Sequence, residues 1–307
     1  RTYPKPINIS SQVLLDRAAA LAPNAADPGT PARVLHYRGL HALNAGDPAA
    51  AIPLLLQAEA RYNALIPASS SARDAEAMNL VSDPVVQSAV LGLAEAKRNR
   101  AVALVRSGHA SEASALIDES RQVLRRAGLE PNMMVGRAMR TEAGADIRMG
   151  RTEAAAQLLE RAAGRFGVAA PGERPEAVTL FLAGQQRIRA GRRPEALAAF
   201  RAGAEILRAR QIGLSVPLVV AYLDALDQEA NADPGAAPAL RAEMFGAAQL
   251  AQRSSTARYV QQASARLGAS EGNPAVQGAV RGLQDVDREL RELFAERDAS
   301  GAQNAAL

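Results

Sequence analysis

A chain of 307 residues with 48% hydrophobic and 22% charged residues is globular rather than disordered, and 3% aromatics without Trp favour Ala- and Leu-filled helix packing over a β-sandwich. Its formal charge of +4 is spread over interspersed arginines and acids, with Lys5 and Lys97 the only lysines, and it lacks the basic cluster that a nucleic-acid partner requires. The absence of Cys excludes disulfides, thiolate metal sites and cysteine nucleophiles.

Arg1 is not an initiator Met, so the chain reads as a processed or trimmed product. A removed signal peptide would leave no trace, which leaves localisation open between cytoplasm and export. The weight of Ala and Arg matches the coding bias of a GC-rich bacterial genome, and no apolar run approaches the length of a membrane span.

The first predicted helix, SQVLLDRAAALA from Ser11, belongs to an N-terminal cap over residues 1–30. From there to residue 253 one turn is written four times: GDPAAAIPLL at Gly46, GHASEASALI at Gly108, GRTEAAAQLL at Gly150 and GRRPEALAAF at Gly191. The spacings of 62, 42 and 41 residues lie above the 34 of the shortest helical-hairpin repeats. Before Gly46, Val34, Tyr37, Leu40 and Leu43 recur at three-residue steps; after it Asp47 caps and Pro48 fits the first helical position. The breaker-rich run from Pro67 to Pro84 accounts for the long first gap as a loop or extra half-turn, and Asp83 with Pro84 opens the next helix. In each second helix a small residue (Ala51, Ala113, Ala155, Ala196) lets two helices approach, and a large one (Leu55, Ile117, Leu159, Phe200) follows a turn later. At the last corner Arg192 and Arg193 are expected to face solvent and to be dispensable. A further hairpin, from Pro217 and from Ala237, is divided by NADPGA.

These positions resemble a tetratricopeptide array. Gly39, Ala101, Ala143 and Gly184 match the small residue midway along that family's first helix, and Ala58 and Ala162 match its second Ala, which Ser120 and Gly203 replace elsewhere. The aromatic expected early in the first helix is missing, with Leu35, Lys97, Met139 and Leu180 in its place, so the repeats are degenerate. The resemblance implies an all-α, right-handed α-solenoid of helical hairpins with a C-terminal helical extension. It also implies a concave groove, lined by the first helices, that binds a protein or peptide.

Two residues before the last three corner glycines stand Arg106, Arg148 and Arg189, with Asn44 at the equivalent place in the first unit. On the same face the groove reading adds His36, Arg98, Arg137, Arg140, Phe181 and Gln185. A ladder of guanidinium forks would pair with the carboxylates of an acidic peptide. The competing reading is structural, since an Arg in the last turn is also favoured by the negative end of the helix dipole.

Residues 254–307 form a separate segment. SSTARYVQQASARL is predicted helical, and Pro274 opens a longer helix with Val276, Val280, Leu283, Val286, Leu290 and Leu293 on one stripe. This text resembles the connector of bacterial proteins in which tetratricopeptide repeats precede a CHAT domain, a caspase-like cysteine peptidase. That resemblance implies a regulatory or recognition region whose own CHAT domain lies downstream; the alternative is a stand-alone adaptor or scaffold in a bacterial, including envelope, assembly.

No catalytic constellation supports an enzyme within the chain. His36 and His41 are five apart, which on a helix turns them in different directions, and His109 is remote, so no metal and no cofactor is expected. Neither a phosphate-binding glycine loop nor a nucleophile elbow is present.

Overall fold

The computed structural model describes residues 11–67 and 83–252, with single helical positions at Gly278, Gly282, Asp285, Val286 and Glu289. Most of the expected loop from Pro67 to Pro84 and nearly all of the connector over 254–307 lie outside the described residues.

Eleven α-helices follow one another among the described residues, which contain no strand. They are α1 (Ser11–Leu21), α2 (Thr30–Asn44), α3 (Pro48–Asn63), α4 (Pro84–Arg106), α5 (Ala110–Arg126), α6 (Asn132–Arg148), α7 (Thr152–Ala169), α8 (Arg174–Arg189), α9 (Arg193–Ala209), α10 (Val216–Ala232) and α11 (Ala237–Gln252). From α2 onward they pair as consecutive hairpins, and the second helix of one hairpin packs on the first of the next. The first helices also touch in sequence, α2 on α4 and α4 on α6, which makes an inner row, and α8 touches α10. The molecule is thus an all-α solenoid of tetratricopeptide-like hairpins.

The repeated corner has one cause. Gly46, Gly108, Gly150 and Gly191 all hold a positive φ between 73° and 90°, the left-handed region open to a residue without Cβ. At each, the glycine N–H and the next N–H turn back onto carbonyls of the last helical turn, as in Gly191 to Ile188 at 2.9 Å and Arg192 to Arg187 at 2.8 Å. The orphan carbonyls of the helix end are thereby satisfied and the chain is aimed back along the helix it has left. Gln211 ends α9 in the same way at φ 55°, with Ile212 N–H on Leu207 at 2.9 Å, so a non-glycine residue holds this strained position there. Asp47 and Asp83 cap α3 and α4 through their carboxylates, onto Ala50 N–H at 2.9 Å and Val85 N–H at 2.8 Å.

The small-then-large pairs form the seam between helices. Ala51, Ala113, Ala155 and Ala196 are fully buried, as are Leu55, Ile117 and Phe200, with Leu159 at 1%. A methyl on Gly39 would stand 2.7 Å from Leu55, and one on Gly184 2.6 Å from Phe200, so each glycine is the hole that the large residue of its own hairpin fills. Where the second Ala is replaced by Ser120, the hydroxyl is buried and donates to the Ala94 carbonyl at 2.7 Å.

Of the residues at three-residue steps, Val34 and Leu43 are buried and Tyr37 is 58% exposed; nine residues make about two and a half turns, so Val34 and Leu43 sit on opposite sides of α2. Part of the long first gap is helix, since α4 runs for 23 residues where α2, α6 and α8 have 15, 17 and 16.

Candidate functional site: an arginine-lined trough

The inner row brings six of the predicted residues together in three connected cavities. A cavity of about 430 Å³ is walled by His36 and Tyr37 of α2, Glu95, Arg98 and Asn99 of α4, and Arg137 of α6, among others. Arg98 also walls a neighbouring space of about 280 Å³ with Arg106, Arg140 and Thr141. Tyr37 and Leu40 connect the first cavity to a third of about 670 Å³, which reaches Asn44.

The polar side chains between the cavities are locked by donor and acceptor logic. Arg98 forks onto Glu95, with Nε to Oε1 at 3.2 Å and Nη2 to Oε2 at 2.8 Å, and also donates to Asn99 Oδ1 at 2.6 Å. A guanidinium only donates, so the Asn99 oxygen faces Arg98 and its amide nitrogen donates to His36 Nε2 at 2.8 Å. His36 is therefore neutral, with its proton on Nδ1. Burial is the main reason its pKa is pushed down to about 4; the Glu95 charge pulls it back up and Arg98 reinforces the fall. Burial likewise acts to raise the Glu95 carboxyl, but Arg98, by charge and hydrogen bond, with Arg137 behind it, outweighs this and holds it below the usual carboxylate range.

The arginines outnumber that one acid. Arg137 approaches Glu95 at 3.6 Å, sharing the carboxylate that Arg98 already holds. Arg140 lies over the ring of Phe166, 5.4 Å from its centre, and has no carboxylate partner among the described residues. Burial, with the like charges of Arg98 and Arg137, depresses its pKa. Arg106 donates to the Leu43 carbonyl at 2.6 Å, so it caps the C-terminal end of the neighbouring helix α2 rather than its own.

The predicted residues farther along the array are not brought into this site. Phe181, expected to face the groove, is fully buried and packs on Phe200 at 5.4 Å and Tyr222 at 5.9 Å between ring centres. Gln185 is half-buried, Arg148 is exposed with no hydrogen bond or ion pair among the described residues, and Arg189 is exposed and bonds Gln186 of its own helix at 3.3 Å. The buried arginine of α8 is Arg187, which grips Glu160 with both ends of its fork at 2.7 Å and Glu153 at 2.8 Å, and so ties α8 to α7. Arg192 faces solvent and Arg193 is half-buried, and each pairs with another hairpin, Arg192 with Glu153 at 3.4 Å and Arg193 with Glu229 at 3.5 Å.

Sequence reasoning missed Glu95 and Asn99, which organise the trough. The signal for Glu95 was present, since an acid three residues before Arg98 on a helix is a neighbour. Asn99, 4% exposed, carried no comparable signal in the sequence.

Neither a family model nor a curated protein matches the chain. Among solved structures it is similar to a Podosopora anserina kinesin light chain protein of nearly identical TPR-like repeats, at 17% identity and a TM-score of 0.45, over 79% of this chain and 100% of that one. A single-substitution form of the same protein gives 16% and 0.44, over 78% and 98%. At TM-scores under 0.5 the architecture rests on this chain's own corners and helix pairs.

Proposed function

We propose that the chain is a non-enzymatic, protein-binding scaffold whose trough over α2, α4 and α6 receives an acidic, extended polypeptide segment. The observation that carries this reading is the charge imbalance: Arg98, Arg106, Arg137 and Arg140 wall adjoining cavities around the single carboxylate of Glu95, and His36 is neutral. An incoming carboxylate would gain charge-assisted, fork-shaped hydrogen bonds in a partly dry setting, and the ordered network would keep Arg98 in place before the ligand arrives. Titration with labelled Glu-rich peptides tests it. Binding is expected to weaken steeply with added salt and to fall about tenfold or more in Arg140→Gln. Equal affinity for Glu-rich and Gln-rich peptides would remove the reading.

The further step is that this scaffold is the recognition region of a bacterial CHAT-type protein, with the segment 254–307 leading into the peptidase. The text from Ser254 supports it, STARYVQQASARL and NPAVQGAVRGLQDVDREL above all. The coding sequence after Leu307 decides it: a His and Cys pair in a caspase-like α/β domain is expected, and a stop codon there leaves a stand-alone adaptor.

A further inference from the structure

The largest of the three cavities has a different chemistry. It lies between α1 and α2, is walled by Leu14, Leu15, Tyr37, Leu40, His41 and Asn44, and has no Asp or Glu in its wall. α1 buries none of its own residues. Polar contacts hold it to α2, Asp16 with Arg38 at 3.5 Å and Ser11 with His41 at 3.2 Å. Leu14 is 54% and Tyr37 58% exposed, so the first hairpin keeps large apolar side chains in water on the wall of a concave space. Packing of α1 on its neighbour leaves these side chains on the wall of a concave space that an apolar group of a partner could fill.

Its position says what that partner carries. Tyr37 and Leu40 wall both this cavity and the one holding His36 and Glu95. Arg106, in the wall of the guanidinium cavity, reaches the carbonyl of Leu43, the residue before Asn44 in the wall of the apolar cavity, so both cavities lie near the C-terminal end of α2. We infer that the α1–α2 cavity receives a large apolar side chain of the same acidic segment, so that the trough reads one carboxylate and one aliphatic or aromatic side chain close together on an extended chain. This rests on the acidic-segment reading above. An extended strand rises about 3.3 Å per residue with side chains alternating, so the separation of the two side chains is a fixed number of residues that peptide offsets can read. The apolar half supplies area removed from water and the arginines supply orientation, a division common at peptide grooves.

The test is an array of peptides of about ten residues, roughly 30 Å when extended, each with one fixed Glu and with Leu, Phe or Ser placed at successive offsets on either side. The full chain is the probe. Leu or Phe at one or two offsets is expected to strengthen binding about tenfold over Ser. Leu14→Ser, at an exposed position of α1 that walls only this cavity and with unchanged melting temperature, erases that offset preference but keeps the need for Glu, whereas Arg140→Gln weakens every Glu peptide. If no offset is preferred, or the preference survives Leu14→Ser, the inference is wrong while the acidic reading stands. If no Glu peptide binds, both fall. Sedimentation covers the remaining occupant: self-association lost in Leu14→Ser, with peptide preference unmoved, assigns the cavity to a second copy of the chain and overturns the proposal.

Discussion

His36, Arg98, Arg140 and Phe181 occupy the same place in four successive units, three residues before the small residue of the first helix, yet they do opposite things. The first three wall the trough over α2, α4 and α6. The fourth turns into the array, where Phe181, Phe200 and Tyr222 form an aromatic cluster across α8, α9 and α10. The difference lies in what the neighbours leave open. Gly184 and Gly203 make room, since a methyl on Gly203 would stand 2.8 Å from Phe181, and Tyr222 completes the cluster with its hydroxyl donating to Glu243. One repeat register therefore lines an arginine-rich trough at one end of the molecule and builds the core at the other.

The largest test of this contrast is Phe181→Ala, expected to cost about 3–5 kcal/mol in denaturant unfolding, as a fully buried ring does. Its register mate Arg140→Met should cost far less, and an equal loss at both positions would erase the distinction. Next is pH. The folded state depresses the His36 pKa from 6.5 to about 4, so between those values the unfolded chain binds more protons. The contribution of His36 is complete above about pH 6.5 and is lost as pH falls toward 4, on the order of 2–3 kcal/mol. The difference between wild type and His36→Gln in urea unfolding at pH 7 and 4.5 isolates it from Glu142, whose carboxyl burial raises and which acts in the opposite direction.

Gly184→Ala, which drives a methyl toward Phe200, should lose about 1–3 kcal/mol, whereas Gly144→Ala, with open space around it on the trough helix, should be neutral or slightly stabilising. The smallest effect is Gln211→Gly, a gain of about 0.5–1 kcal/mol from relieving the positive φ. An unchanged melting temperature there would show that the α9 corner is not strained.

Much of the framework was legible because it depends on local chemistry. A glycine at a helix end, an Asp before a Pro, and a small residue one turn before a large one each announce a backbone state or a spacing that needs few distant partners. The trough was legible as a set of arginines on one helical face, since equivalent positions in repeats share a face. Phe181 shows where that logic fails: the register places it correctly, but its direction depends on Gly203 and Tyr222, one or two helices away. Arg187 and Arg189 show the same limit, because a two-residue step on a helix separates a buried cross-link from an exposed side chain, and only Glu153 and Glu160 on α7 tell them apart.

The amino-acid sequence by itself determined an all-α chain of repeated hairpins, with corners at Gly46, Gly108, Gly150 and Gly191 and a seam of small and large residues, because turns, caps and helix periodicity act within a few residues of one another. Only the tertiary structure decided which of the arginines share a cavity, that Glu95 and Asn99 hold Arg98 and keep His36 neutral, and that Phe181 turns into the core. Those outcomes depend on burial and on hydrogen-bond partners supplied by other helices, and a helix carries no record of its neighbours in its own periodicity.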